Sequence, residues 1–354
     1  MNLVTHSIAA SGVRRRWLSA PLLAIAALGA LSGQASASDG ASGTAAPVAG
    51  SVSAADATRI ITLGTLGGPR THAKRSETAN VLQVGDRVYL IDAGPGVSHQ
   101  LAKAGLQPDD VNTIFLTHLH FDHIGGLSSL LGFTWVKRTG KTIDIYGPPG
   151  TSDYVAAAVN YLNIPMNIYA VEMPPTPPVS DLVSAHDVDT AGPKVIFQDD
   201  KVRVTAVENS HYVTIPADKR PLGAKRSYSY RFDTPDRSVV FTGDTGPSEA
   251  LEKLAKGADV LVTEVMDIEA TIDLQTKLLD MPRDKLKPVV DHMRLEHLSP
   301  EEVGKIAANA GVKEVVLTHL GPGEDNETDM RTYSQGVRKY FSGVVVVAND
   351  GEEF

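Results

Sequence analysis

Cysteine is absent from all 354 residues. The chain can therefore form no disulfide, offers no thiolate to a metal and cannot carry a lipid on a cysteine. Any metal must be held by His, Asp and Glu. Positive charge is short as well: 33 Lys and Arg stand against 42 Asp and Glu, a formal balance of −9. A general nucleic-acid binder needs a basic surface, so this balance argues against one, although a local basic patch is allowed. The chain also lacks a run long enough to span a membrane. The apolar stretch from Trp17 to Leu31 falls short of the roughly 20 residues a span requires.

That stretch has another reading. Arg14, Arg15 and Arg16 precede it, and the small residues "ASAS", Ala35 to Ser38, follow it. Basic, apolar, small is the order of a secretory signal. Residues 1–37 are expected to be a signal peptide cleaved after Ala37, leaving no membrane anchor and placing the protein in the periplasm or outside the cell. "RRRWL" also fits a twin-arginine signal, which would carry the protein out already folded. Residues 1–37 hold three arginines and no acid, so their removal takes the balance from −9 to −12. Residues 38–58 are rich in Gly, Ala and Ser and read as a disordered linker. Residues 59–354 show no second linker and read as one domain.

Within that domain, β-rich runs and helical stretches alternate. "ANVLQVGDRVYLIDAG" predicts a hairpin that turns at Gly85-Asp86 and ends at Asp92. "SHQLAKAG" predicts a helix capped by Ser98, and "VNTIFLTH" a buried strand. "RSYSYRF" and "RSVVFTGD" predict a second hairpin ending at Asp244. Ser299, Pro300 and Glu302 make a capping box. The Pro-rich stretch Met173–Lys194 is expected to be a long loop, a lid or substrate wall. Hairpins among alternating strands and helices predict an α/β protein with mixed sheets. Each half has a hairpin ending in a carboxylate, then a helix, then an apolar strand, which suggests an internal duplication.

The chemistry is concentrated in "LTHLHFDH", Leu116 to His123. In extended chain, residues two apart point the same way, so His118 and His120 can reach one metal. Asp122 and His123 lie where the chain turns into a helix and suit a second ion nearby. Imidazole and carboxylate ligands suit Zn²⁺, with Mn²⁺ or Fe²⁺ as alternatives. The four letters "LTHL" return at Leu317–Leu320 with His319.

"LTHLHFDHIGGL" resembles the signature of the metallo-β-lactamase superfamily, and the resemblance runs from about Ile60 to the C-terminus. It implies an αββα sandwich, two mixed β-sheets flanked by helices with metals at one edge. By the same resemblance, the first metal takes His118, His120 and His211, and the second takes Asp122, His123 and His319. Asp244 of "FTGDT" bridges them, and Asp92 orients the loops and ligands from behind. The two "LTHL" copies would then end apolar strands at the same edge, one from each half. "EHLSPEEVGKIAANAGVKEVVLTHL" places His297 as in the tRNase Z-like branch, which includes zinc arylsulfatases and phosphodiesterases. There a His faces the leaving group.

The resemblance implies a dinuclear zinc hydrolase, with two Zn²⁺ acidifying a water held by Asp122 and Asp244, and His297 as general acid. The expected substrate is a small anionic aryl sulfate ester or phosphodiester, with lactone or β-lactam hydrolysis as the alternative. A metal-binding protein without turnover is disfavoured. Arg70, Lys225 and Arg226 are candidate substrate-binding residues. A tRNA partner is disfavoured, because tRNA-processing members carry an arm between the third His and the bridging Asp, and here only a hairpin fits. An edge strand or the apolar insert "VEMPP" could support a homodimer.

Overall fold

Short runs of Val, Ile, Tyr and Phe, too brief for helices and rich in β-branched side chains, become strands that pair over nearly the whole domain. The computed structural model describes residues 57–137, 140–173 and 176–354. The expected signal peptide, the export route and most of the expected linker lie outside the described residues. Among the described residues, fourteen strands form two seven-stranded sheets. Numbered in chain order, the first sheet holds β1 (Thr58–Gly64), β2 (Ala79–Val84), β3 (Arg87–Ile91), β4 (Val111–Phe115), β5 (Ile143–Gly147), β6 (Val183–Asp187) and the short β14 (Glu352–Glu353). The second holds β7 (Lys194–Gln198), β8 (Arg203–Glu208), β9 (Tyr228–Asp233), β10 (Ser238–Phe241), β11 (Val260–Met266), β12 (Glu314–Gly321) and β13 (Val344–Val347).

The sheets run β14-β1-β2-β3-β4-β5-β6 and β13-β12-β11-β10-β9-β8-β7. Both are mixed: β2–β3 and β9–β10 are antiparallel hairpins, whereas β3–β4–β5 and β10–β11–β12 are parallel. Nine helices complete the described chain: α1 (Val97–Lys103), α2 (Phe121–Ile124), α3 (Leu127–Lys137), α4 (Thr151–Glu172), α5 (Glu249–Ala255), α6 (Ile268–Leu279), α7 (Lys287–Leu295), α8 (Pro300–Ala310) and α9 (Arg331–Arg338).

Strand alternation divides the apolar residues into three cores. In β1, Ile61 and Leu63 face a layer with Leu101, Leu127, Trp135 and Leu162 of α1, α3 and α4. Ile60 faces the other way, into the space between the sheets, with Phe115, Tyr230, Phe232 and Phe241. The second sheet's outer face packs Leu261 and Val315 on Leu251, Ile306 and Val337 of α5, α8 and α9. Helix, sheet, sheet, helix is the predicted four-layer αββα order.

Several local expectations are corrected. The strand predicted as "VNTIFLTH" stops at Phe115, because Thr117 turns its N–H to the Asp92 carboxylate at 2.8 Å instead of to the ladder. Helix α1 is entered through Gly96 at φ 97° rather than capped by Ser98. The expected loop Met173–Lys194 contains β6, which pairs in parallel with β5. The capping box at Ser299 forms as predicted. The "VEMPP" stretch lies at the end of α4, with Pro174 and Pro175 outside the described residues.

The halves do share a plan: hairpin, helix, parallel strand, then a further parallel strand. The two "LTHL" copies are not equivalent within it. His118 follows β4, which neighbours hairpin strand β3, whereas His319 lies in β12, one strand further from hairpin strand β10. The strand placed like β4, parallel to the second strand of a hairpin, is β11, "VLVTEVM", and it carries Glu264 rather than a histidine.

Candidate metal centre

All predicted ligands come from the ends of strands at one edge of the sandwich. The loop after β4 carries His118 and His120. Helix α2 carries Asp122 and His123, the loop after β8 carries His211, and the loop after β10 carries Asp244. His319 comes from within β12. There the pairing with β11 slips by one residue: Glu264 faces Thr318 and Val265 faces Leu320, leaving His319 as a bulge at φ 45°. A bulge re-aims a side chain that the regular pleat would direct elsewhere. Asp92 also stands at positive φ, 63°. Both residues hold sparsely populated backbone conformations at a site, where surrounding contacts must enforce them. Gly67 makes room for this arrangement, since a Cβ there would lie 2.8 Å from His319 Nδ1.

The ligand atoms converge in two groups. His120 Nδ1 lies 3.1 Å from both His118 Nε2 and His211 Nε2. Asp122, His123, Asp244 and His319 place ligand atoms within 4.8 Å of one another. Asp244 reaches both: Oδ2 lies 3.8 Å from His118 Nε2, and Oδ1 lies 3.3 Å from His123 Nε2 and 3.2 Å from His319 Nε2. The outer nitrogens are held from behind. His123 Nδ1 donates to Asp92 at 2.8 Å, and His211 Nδ1 donates to the Glu296 carbonyl at 3.1 Å. Each bond leaves Nε2 free to face the centre.

The donors fit divalent metals. His123 Nε2, His319 Nε2 and Asp244 Oδ1 are buried and make no hydrogen bond, although they lie close together. An unsatisfied buried polar atom costs about 1–3 kcal/mol, and a cation between these three would satisfy them at once. Without metal, the cluster's charges lean on one another. Burial lowers His118 and His211 well below the usual imidazole value, and neighbouring His123 adds to the effect on His118. Burial works against charge at His319 too, but the carboxylates of Asp244 and Asp122, the latter 3.4 Å from Nε2, raise it to about 9. At Asp244, burial is outweighed by His319 and His123, which hold the carboxyl well below its usual range.

His297 is buried beside this cluster. Its Nδ1 lies 2.8 Å from Glu264 Oε2, and Glu264 Oε1 accepts from the Thr245 N–H at 2.5 Å. Burial lowers His297 to about 4 and, with Asp244, raises Glu264 well above the carboxylate range. Both groups are thus pushed toward their neutral forms. A second histidine beside the cluster, His292 on α7, stands with Nε2 3.4 Å from His297 Nε2 and its Nδ1 on Glu296. Sequence reasoning misses Glu264, His292 and Glu296. Glu264 had a signal, a lone carboxylate inside an apolar strand, and His292 and Glu296 lie four apart at the end of a helix.

A cleft of about 500 Å³ opens over Asp122, Asp244, His297 and His319. Arg70 lines it, ion-paired with Glu324. Lys225 and Arg226 do not, which corrects that assignment. Arg226 is engaged by Glu208 and Asp189, away from the cleft. His186 on β6 stands apart from the cluster: it stacks on Tyr146 with centroids 4.4 Å apart and bonds Asp144 on β5.

Residues 87–320 match the pattern of the "Beta-lactamase superfamily domain". The chain belongs to this superfamily. Among its relatives, the protein named Ribonuclease Z from Mycobacterium avium (strain 104) is 34% identical over 270 residues, covering 74% of this chain and 86% of that one. Another protein of that name, from Mycobacterium bovis, is 30% identical over 301 residues, covering 82% and 95%. Similar solved structures include the short form of human tRNase Z (TM-score 0.58, 22% identity, 84% of this chain and 98% of that one). The superfamily protein YhfI from Bacillus subtilis has the same TM-score at 20% identity, covering 84% and 98%. At these identities the structures establish the fold alone. The protein is a metal-dependent hydrolase of the superfamily, with His and Asp clusters able to hold metal.

These relatives overturn two expectations. The small-molecule sulfate ester substrate and the exclusion of nucleic acid both conflict with relatives named as ribonucleases across most of their length. The reason is physical: net charge is a sum over the whole surface and does not report the potential at one cleft, and the spacing from His211 to Asp244 limits one docking arm, not the cleft itself.

Proposed function

We propose that this chain is a dinuclear metal hydrolase that cleaves phosphodiester bonds in RNA. The observation that carries this reading is the two-part cluster bridged by Asp244, joined to kinship with proteins named Ribonuclease Z. His118, His120 and His211 would hold one metal, Asp122, His123 and His319 the other, with zinc the best match to the donors. Such metals supply Lewis acidity at the scissile phosphate and lower the pKa of a water. The chain's own residues do the rest. Asp122 and Asp244 orient that water and accept its proton. Asp92 and the Glu296 carbonyl fix the tautomers of His123 and His211. His297 stands at the departing oxygen as proton donor, and the Glu264 carboxyl, held neutral, can replace that proton through Nδ1.

The test is cleavage of end-labelled RNA by zinc-loaded protein, with a chelator control and Asp244→Ala beside it. Cleavage that requires zinc and is lost in the variant supports the reading. Loaded protein that leaves a panel of structured and single-stranded RNAs intact overturns it.

A further inference from the structure

The mechanism uses only the floor of the cleft. Its walls are apolar and face solvent. Helix α6 presents Thr271, Leu274, Gln275 and Leu278 along one face, at the i, i+3, i+4, i+7 spacing of a helical stripe. Met293 of α7 adjoins them. Leu278 is 56% exposed. Beside the floor ligand Asp122 stands Phe121, in the middle of "HLHFDH", 65% exposed and lining the same cleft. Its ring lies against Gly125, where a Cβ would come within 2.9 Å of two of the ring carbons, so glycine there makes room for it.

An exposed aromatic ring one residue from two assigned metal ligands adds little to stability and is well placed for stacking. The residues lining the wall offer no charge to a phosphate, apart from Arg70, which is already paired. The occupant should therefore be anionic at the floor and uncharged and flat at the wall. We propose that Phe121 and the α6–α7 wall form a subsite for the nucleobase next to the scissile phosphate, with the Gln275 amide available to the base edge. This rests on the RNA reading above. Aromatic stacking binds any base, so the subsite would favour having a base over having none, with little choice among bases.

Calorimetry on the zinc-loaded protein tests this directly, comparing uridine 5′-monophosphate, ribose 5-phosphate and hexyl phosphate. Stacking worth about 1–3 kcal/mol per base predicts that the nucleotide binds roughly 5- to 150-fold more tightly than the sugar phosphate. The advantage should largely vanish in Phe121→Ala and shrink in Leu278→Ala, whose exposed position lets the fold stand without it. Equal affinity for nucleotide and ribose phosphate overturns the subsite, as does hexyl phosphate binding as tightly as the nucleotide. The two readings separate: RNA cleavage without base preference removes the subsite and leaves the ribonuclease, whereas base preference without cleavage does the reverse.

Discussion

Asp92 is the position where a single atom should decide metal binding. Its carboxylate is 3% exposed and accepts from three donors: Thr117 N–H at 2.8 Å, Thr117 Oγ1 at 2.9 Å and His123 Nδ1 at 2.8 Å. Asp92→Asn keeps the volume and tolerates the residue's positive φ, since Asn is at home there. It nevertheless replaces one acceptor oxygen by a donor NH₂. If the NH₂ faces Thr117, a fixed backbone N–H loses its partner, at about 1–3 kcal/mol. If it faces His123, the ring must accept at Nδ1 and carry its proton on Nε2, the atom assigned to the second metal. Loss of such a supporting bond typically costs roughly 10- to 100-fold in metal affinity, about 1.4–2.7 kcal/mol. Zinc competition against a chromophoric chelator should show one site weakened by that factor and the His118–His120–His211 site little changed. Circular dichroism should show the fold intact. Two unaltered zinc affinities in Asp92→Asn would refute the claim that Asp92 sets the His123 tautomer.

Other expectations follow from the same geometry. His297→Ala should retain both metals yet lose about 10²–10⁴-fold in rate, most for poor leaving groups, and Glu264→Gln should show part of the same pattern. Wild-type rates on an unactivated diester in His297→Ala would remove the acid role. In metal-free protein His319 is raised to about 9, chiefly by Asp244 against the lowering effect of burial, and His123 is raised by Asp244 and Asp92. Metal must displace those protons, so affinity should climb with pH up to about 9 and binding at pH 7 should release protons. Calorimetry in buffers of different ionisation enthalpy measures that release, and a value of zero would contradict it. Replacing Arg14 and Arg15 by Lys should stop export if the N-terminus is a twin-arginine signal, as cell fractionation would show.

Much of the site was readable before any fold was known, because its ligands sit in short, unusual clusters. Three histidines crowded into "HLHFDH" repel one another when protonated, and with their aspartate add nothing to a core, so metal binding is the use that suits them. The ordered matches at His211, Asp244 and His319 follow from one family signature. The hairpins and the Ser299 cap were legible from turn residues and β-rich runs. What stayed hidden depends on distant pairing. Edge strand β6 gains its ladder from β5, so its own Pro-rich surroundings said loop. Glu264 looks like a misplaced charge until Thr245 and His297 close around it. Arg226 seemed free because its partners, Asp189 and Glu208, are far off in sequence.

The sequence alone thus determined the donor chemistry: no cysteine, a histidine–carboxylate set and alternating β and α runs point to a metal-binding α/β protein, and the resemblance carried by "LTHLHFDHIGGL" implied the hydrolase. The tertiary structure decided which residues share an ion, that "LTHL" recurs on non-equivalent strands, and what flanks the metals. A motif records local spacing, but convergence of side chains from β4, α2, β8, β10 and β12 on a few ångströms is a property of sheet order and of one bulge. Neither can be read from neighbours along the chain.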